Sequence, residues 1–100
     1  MKTNEIKITE KEAKKIAENG FEIIRTIDGK DYYTYKETIE IKEVSANRFF
    51  TAKYNGSKDT YPNKKRKVYV VTKSDDAGNG VSVYVDVTTG LIIGGNLFGV

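Results

Sequence analysis

The stretch Val81-Ser82-Val83-Tyr84-Val85-Asp86-Val87 decides the fold. Valine takes every odd position and a polar or amphipathic residue every even one. Side chains on a β-strand alternate between faces with a period of two, so the four valines share one face. Branched Cβ atoms fit a pleated surface and lose little rotamer freedom on it. Such a face needs an apolar cover. Turn-forming residues bound the strand on both sides, Ser74–Gly80 (SDDAGNG) before it and Thr88-Thr89-Gly90 after it.

Working outward, Val68–Lys73 reads as the preceding strand and Leu91–Ile93 as the following one, which Gly94-Gly95 ends. Asn55–Lys67 is polar, holds the single proline (Pro62) and reads as the one long loop. Upstream, Tyr33, Tyr35, Ile39 and Ile41 alternate with Thr34, Lys36, Thr38, Glu40 and Lys42, predicting a long strand with one wet face. Arg48–Tyr54 is a further strand candidate, ended by Asn55-Gly56. Phe21–Ile27 is another, closed by the hairpin dipeptide Asp28-Gly29.

The cover comes from the N-terminus. Thr9 and Glu12 have the T-x-x-E spacing of a capping box, in which each side chain satisfies the other's orphan backbone N–H. Ile8 precedes the cap and is placed to pack back on Ala13. Ala13, Ile16 and Ala17 follow helical spacing, and Asn19-Gly20 supplies a left-handed stop. One helix followed by sequential strands indicates an α+β fold. The expectation is a single domain over residues 1–100, with the N-terminal helix packed on one face of an antiparallel sheet of about four to five strands.

Composition excludes much chemistry. The 100 residues include no His, no Cys and no Trp. Thiol nucleophiles, disulfides and thiolate metal sites are thereby removed. The usual general base near neutral pH is gone too, along with the commonest zinc ligand. Lys plus Arg number 17 against 14 Asp plus Glu, a net charge of +3. The first half balances at 10 against 10, and the second half carries 7 against 4. The consecutive Lys64, Lys65, Arg66 and Lys67 account for that excess, so basicity is local rather than spread as on a nucleic-acid binder. Met1–Glu10 (MKTNEIKITE) lacks the apolar core of a signal peptide, and Leu91–Val100 is too short and Gly-rich to span a bilayer.

Two segments resemble the PepSY-type domain, a module of the propeptides of some secreted metallopeptidases and of bacterial envelope proteins. Ile8-Thr9-x-x-Glu12-Ala13-x-x-Ile16-Ala17 is similar to the family's opening I-T-x-x-x-A-x-x-I-A helix. Tyr84-Val85-Asp86-Val87-Thr88-Thr89-Gly90, with Ile92 and Ile93 after it, is similar to the closing Y-x-V-x-V-D-x-x-T-G-x-I/V. Val68-Tyr69-Val70-Val71 stands where the family commonly has an aromatic-x-V strand. Asp28–Lys67 is longer than the minimal module and departs from it. The resemblance implies an extracytoplasmic, non-catalytic protein-binding module, associated with the cell envelope or secreted, that inhibits or regulates a secreted peptidase.

The remaining candidates are weighed against plainer roles. Asp86, Thr89 and Gly90 read as turn chemistry: a carboxylate accepting amides of the turn, a local hydroxyl and a residue free to take positive φ. Glu37, Glu40 and Glu43 lie along the long strand, Glu40 opposite in parity to the other two, and read as a solvated surface rather than a catalytic carboxylate pair. Asp75, Asn79, Gly80 and Asp86 have partial EF-hand spacing, but Ala77 removes a ligand and a strand replaces the exiting helix. No metal or other cofactor is expected. The run Lys64–Lys67, beside Tyr61 and Tyr69, is the best hint of an anionic partner such as nucleic acid, yet four charges fall short of a typical phosphate-contact set. A lysine-guarded strand edge has the same pattern. Tyr32, Tyr33 and Tyr35 cluster as rigid, amphipathic contact residues. The candidate partner surface is therefore Tyr32, Tyr33, Tyr35, Lys64, Lys65, Arg66 and Lys67.

Overall fold

The structure, a computed structural model, describes residues 5–29, 36–55 and 64–99. It has the elements α1 (Glu10–Asp28), β1 (Lys36–Val44), α2 (Arg48–Asn55), β2 (Arg66–Ser74), β3 (Gly80–Asp86) and β4 (Ile92–Phe98). The strands form one antiparallel sheet in the order β1-β2-β3-β4. This is the α+β arrangement that the strand at Val81 and the capped helix predict.

Helix α1 starts at the capping box. The Glu12 amide donates to Thr9 Oγ1 at 3.1 Å and the Thr9 amide to Glu12 Oε1 at 3.0 Å. The helix does not stop at Asn19-Gly20, and Phe21–Ile27 is helix rather than strand. The buried stripe Ala13, Ala17, Gly20 and Ile24 keeps helical spacing through that dipeptide. Gly20 lies against the sheet, where a Cβ would stand 2.9 Å from Ile92 Cδ1 and 3.4 Å from Val83 Cγ1. Its missing side chain lets helix and sheet approach, and burial of Ile24 beyond it outweighs a helix penalty of about 1 kcal/mol. The stop comes at Gly29, which takes φ 67° and donates to the Arg25 carbonyl at 2.8 Å. Asp28-Gly29 thus closes a helix and not a hairpin.

Register aligns the core. Ile39, Val71, Val83 and Gly95 lie across the sheet in one row, and Ile41, Tyr69, Val85 and Ile92 in the next. Val81, Val83, Val85 and Val87 are buried with Ala13, Ala17 and Ile24 of α1, as their shared face requires. By strand parity the opposite face carries the second cluster, Val68, Val70 and Ile93, with Val44, Ala46 and Tyr84 against it.

Arg48–Tyr54 forms α2 and not a strand. Phe, Thr and Tyr favour strands intrinsically, but Phe50, Thr51 and Tyr54 are buried at helical spacing and Asn47 caps the start. Asn47 Oδ1 accepts from the Phe50 amide at 3.1 Å. Strand β4 likewise continues through Gly94-Gly95 to Phe98. A Cβ on Gly95 would lie 2.4 Å from Phe50 Cζ, so the glycines mark where α2 docks rather than where the strand ends.

Candidate functional site

Helix α2 and strand β4 enclose an open cleft of about 230 Å³, lined by Asn47, Phe49, Phe50, Lys53, Tyr54, Gly95, Asn96 and Leu97. One residue sets its geometry. Besides capping α2, Asn47 donates its backbone N–H to the Ile93 carbonyl at 2.9 Å and its side-chain amide to the Gly95 carbonyl at 2.9 Å. Two carbonyls on the outer rim of β4 are thereby satisfied, and the helix is fastened to the strand. Phe50 and Tyr54 turn inward with ring centroids 4.7 Å apart. Phe49, the next position round the helix, stands 81% exposed.

The far end of the cleft is tied to α1. Tyr54 donates its hydroxyl to Asp28 Oδ2 at 2.6 Å, and Lys53 Nζ lies 3.3 Å from Asp28 Oδ1. Burial, reinforced by the hydrogen bond to Asp28, pushes the Tyr54 phenol above its ordinary value. Hydrogen bonding to Tyr54, then to Asp28, raises the Lys53 ammonium. Both groups keep their protons near neutral pH. The arrangement offers an aromatic anchor, a cation and exposed amide groups, which is equipment for recognition.

Of the residues expected to bind a partner, none of the described ones, Lys64, Lys65, Arg66 and Lys67, lines this cleft. Tyr32, Tyr33 and Tyr35 lie outside the described residues. Lys64 and Lys65 are exposed ahead of β2, whereas Lys67 is half-buried. Arg66 turns inward: its Nη1 donates to Asp86 Oδ2 at 2.9 Å, with side chains only 15% and 3% exposed. The basic run is therefore split between solvent and fold.

Asp86, Thr89 and Gly90 form a tight turn between β3 and β4. Asp86 Oδ1 accepts from the Thr88 and Thr89 amides at 2.7 and 3.1 Å, and Thr89 Oγ1 from the Leu91 amide at 3.2 Å. Gly90 takes φ 74° and donates to the Asp86 carbonyl at 2.9 Å. The turn packs on the start of α1, where Lys7 and Ile8 donate backbone N–H groups to the Val87 carbonyl at 2.8 and 3.1 Å. The Tyr69 hydroxyl adds a bond to the Ile8 carbonyl at 2.8 Å. Burial, with the charges of Glu10 and Glu12 behind it, raises that phenol.

Asp75 closes the β2–β3 hairpin by accepting the Ala77 and Asn79 amides, each at 2.9 Å. Glu37, Glu40 and Glu43 are exposed on β1. Among the described residues no group of three or more acidic side chains is placed to hold a metal ion, and no helix is long and apolar enough to cross a membrane.

Sequence reading misses Asn47, Phe49 and Lys53 because it places them before and within a strand. The available signal was an Asn cap residue three positions ahead of Phe50, with Phe50 and Tyr54 four apart. No family model matches the chain, and comparisons with curated proteins and with solved structures find no match.

Proposed function

We propose that the chain is a non-catalytic protein-binding module of PepSY type, acting outside the cytoplasm to restrain a secreted peptidase. The observation that carries the binding role is Phe49, an exposed aromatic on a helix that Asn47 fastens beside a glycine-floored cleft. A large apolar side chain exposed on an ordered element, rimmed by Lys53 and Asn96, has the form of an interface anchor. The polar groups that chemistry would need are meanwhile occupied structurally. Asp86 holds a turn and Arg66, and Asp28 holds Tyr54 and Lys53.

The peptidase as partner rests on the resemblance at residues 8–17 and 68–93. In support, those two segments pack on each other: a Cβ on Gly90 would lie 3.2 Å from Ile16 Cδ1 and 3.8 Å from Ile8 Cγ2. Their matching residues therefore serve the fold, which leaves recognition to the divergent middle of the chain, where α2 lies. The test is inhibition and pull-down against secreted peptidases encoded beside the gene. The native protein is expected to slow one of them, and Phe49→Ala to weaken that binding about 30-fold, the loss of an anchor worth about 2 kcal/mol. Failure of the native protein to bind any of them overturns the peptidase reading. Unchanged affinity in Phe49→Ala overturns the cleft as its site.

A further inference from the structure

Among the described residues, strand β1 ends the sheet and pairs with β2 alone. Ile41 stands 46% exposed on it, on the face that α1 covers farther along the sheet. Its neighbours Glu40 and Lys42 occupy the opposite face, their charged ends 3.1 Å apart. Unpaired edges invite another strand, and charges along an edge reject every partner whose signs do not match. The question is which partner this charge pattern admits.

We propose that the partner is a second copy of this chain, its β1 antiparallel to the first and centred on Ile41. A two-fold axis places residue i opposite residue j with a constant sum, so the centre fixes every cross-strand pair. Centring on Ile41 sets Ile41 against Ile41, Glu40 against Lys42 and Lys42 against Glu40 of the other copy. Ile39 meets Glu43, and Thr38 meets Val44. No like charges stand opposed. With the Glu40–Lys42 contact already inside each strand, the four groups make a ring of alternating sign.

Neighbouring centres fail. Centring on Glu40 opposes Glu40 to itself and Glu37 to Glu43, and centring on Ile39 opposes Lys36 to Lys42. Centring on Lys42 opposes that lysine to itself. A centre at Thr38 avoids like charges, but it pairs only Lys36–Glu40 of β1 and leaves Ile41 outside the paired stretch. Like charges directly opposite destabilise a strand pair and opposite charges support it, so the pattern selects one register. The result is a continuous eight-stranded sheet, with the two Ile41 side chains covering each other on the α1 side. This surface is separate from the α2 cleft.

Sedimentation of the purified protein over a wide concentration range tests the pairing. The native protein is expected to form a reversible dimer. Glu40→Lys and Lys42→Glu are each expected to shift it to monomer, because each sets like charges opposite. The double swap Glu40→Lys/Lys42→Glu is expected to restore the dimer, since the alternating ring is re-formed with reversed signs. Circular dichroism of each variant separates loss of pairing from loss of folding. Since the chain has no cysteine, a cysteine variant reports position directly. Ile41→Cys is expected to give a disulfide-linked dimer under mild oxidation, and Lys36→Cys to give none. A native protein that is monomeric throughout and uncrosslinked at Ile41→Cys overturns the proposal. So does a double swap that folds but stays monomeric.

Discussion

Strands β3 and β1 carry the same period-two signature and end in opposite environments. On β3 the valines are buried, and the even positions are sheltered as well, Ser82 at 8% and Asp86 at 2% exposure. On β1 only Ile39 and Val44 are even half-buried. Alternation therefore says that two faces differ, without saying how wet either is. The difference lies in whether the polar residues have partners. Ser82 shares a hydrogen bond with Thr72 at 2.8 Å and Asp86 holds two amides and Arg66, while Glu40 and Lys42 meet each other in solvent. A sheltered polar group is affordable only when its hydrogen bonds are made.

The contrast is sharpest at the two carboxylates. Asp86→Ala leaves a largely buried guanidinium uncompensated and two turn amides unserved, an expected loss of about 3–5 kcal/mol in urea unfolding. Glu40→Ala is expected to stay within about 0.5 kcal/mol. Asp86→Asn separates the roles, since an amide oxygen still accepts the turn amides while the charge pairing is lost. It should fall between native and Ala. Equal losses in Asp86→Ala and Glu40→Ala would break the comparison.

Next come the apolar positions. Val83→Ala, at a site with no exposure, is expected to cost about 1.5–3 kcal/mol, and Ile41→Ala, read at a concentration that keeps the protein monomeric, well under 1 kcal/mol. Thermal or denaturant unfolding reads both. Gly90→Ala then probes the turn that ends β3. A side chain forced to φ 74° and against Ile16 should cost about 1–2 kcal/mol.

The smallest effect is a pH dependence at the other end of β3. Amides of Asn79, Ala77 and Gly78 hold the Asp75 carboxyl below its ordinary value, the Asn79 backbone contributing most. Because folding depresses this pKa, its stabilisation is present above the unfolded value, about 3.9. It is lost as pH falls through the folded one. NMR titration should place the Asp75 midpoint below that of a model peptide, and Asp75→Asn should remove this slope from the acid limb of stability. An unshifted midpoint would mean that the hairpin is not tied through this carboxylate.

What was legible in the sequence followed from local rules that the tertiary structure happens to respect. The Thr9–Glu12 box and the valine run name their elements because capping and face burial agree there. Phe21–Ile27 and Arg48–Tyr54 misled because strand-favouring residues fill helices whose burial is decided elsewhere. Ile24 belongs to a stripe begun at Ala13, and Phe50 fits the space that Gly95 leaves. Glycine was read as an ending at Gly20 and at Gly94-Gly95, whereas each is a place of close approach. The cleft was invisible for the same reason, since Phe49 is conspicuous only once α2 is a helix. Lys64–Lys67 looked like one feature, and the turn of Arg66 toward Asp86 required knowing that β2 and β3 pair.

The Asn47 clasp on β4 also bears on how far this molecule assembles. A sheet with two receptive margins propagates, copy after copy, toward a filament. Here one margin already has its Ile93 and Gly95 carbonyls answered from within the chain, and the other is used up when two β1 strands meet. In the proposed pairing, growth is therefore self-limiting: a molecule joined through β1 offers a partner only the margin that Asn47 already clasps.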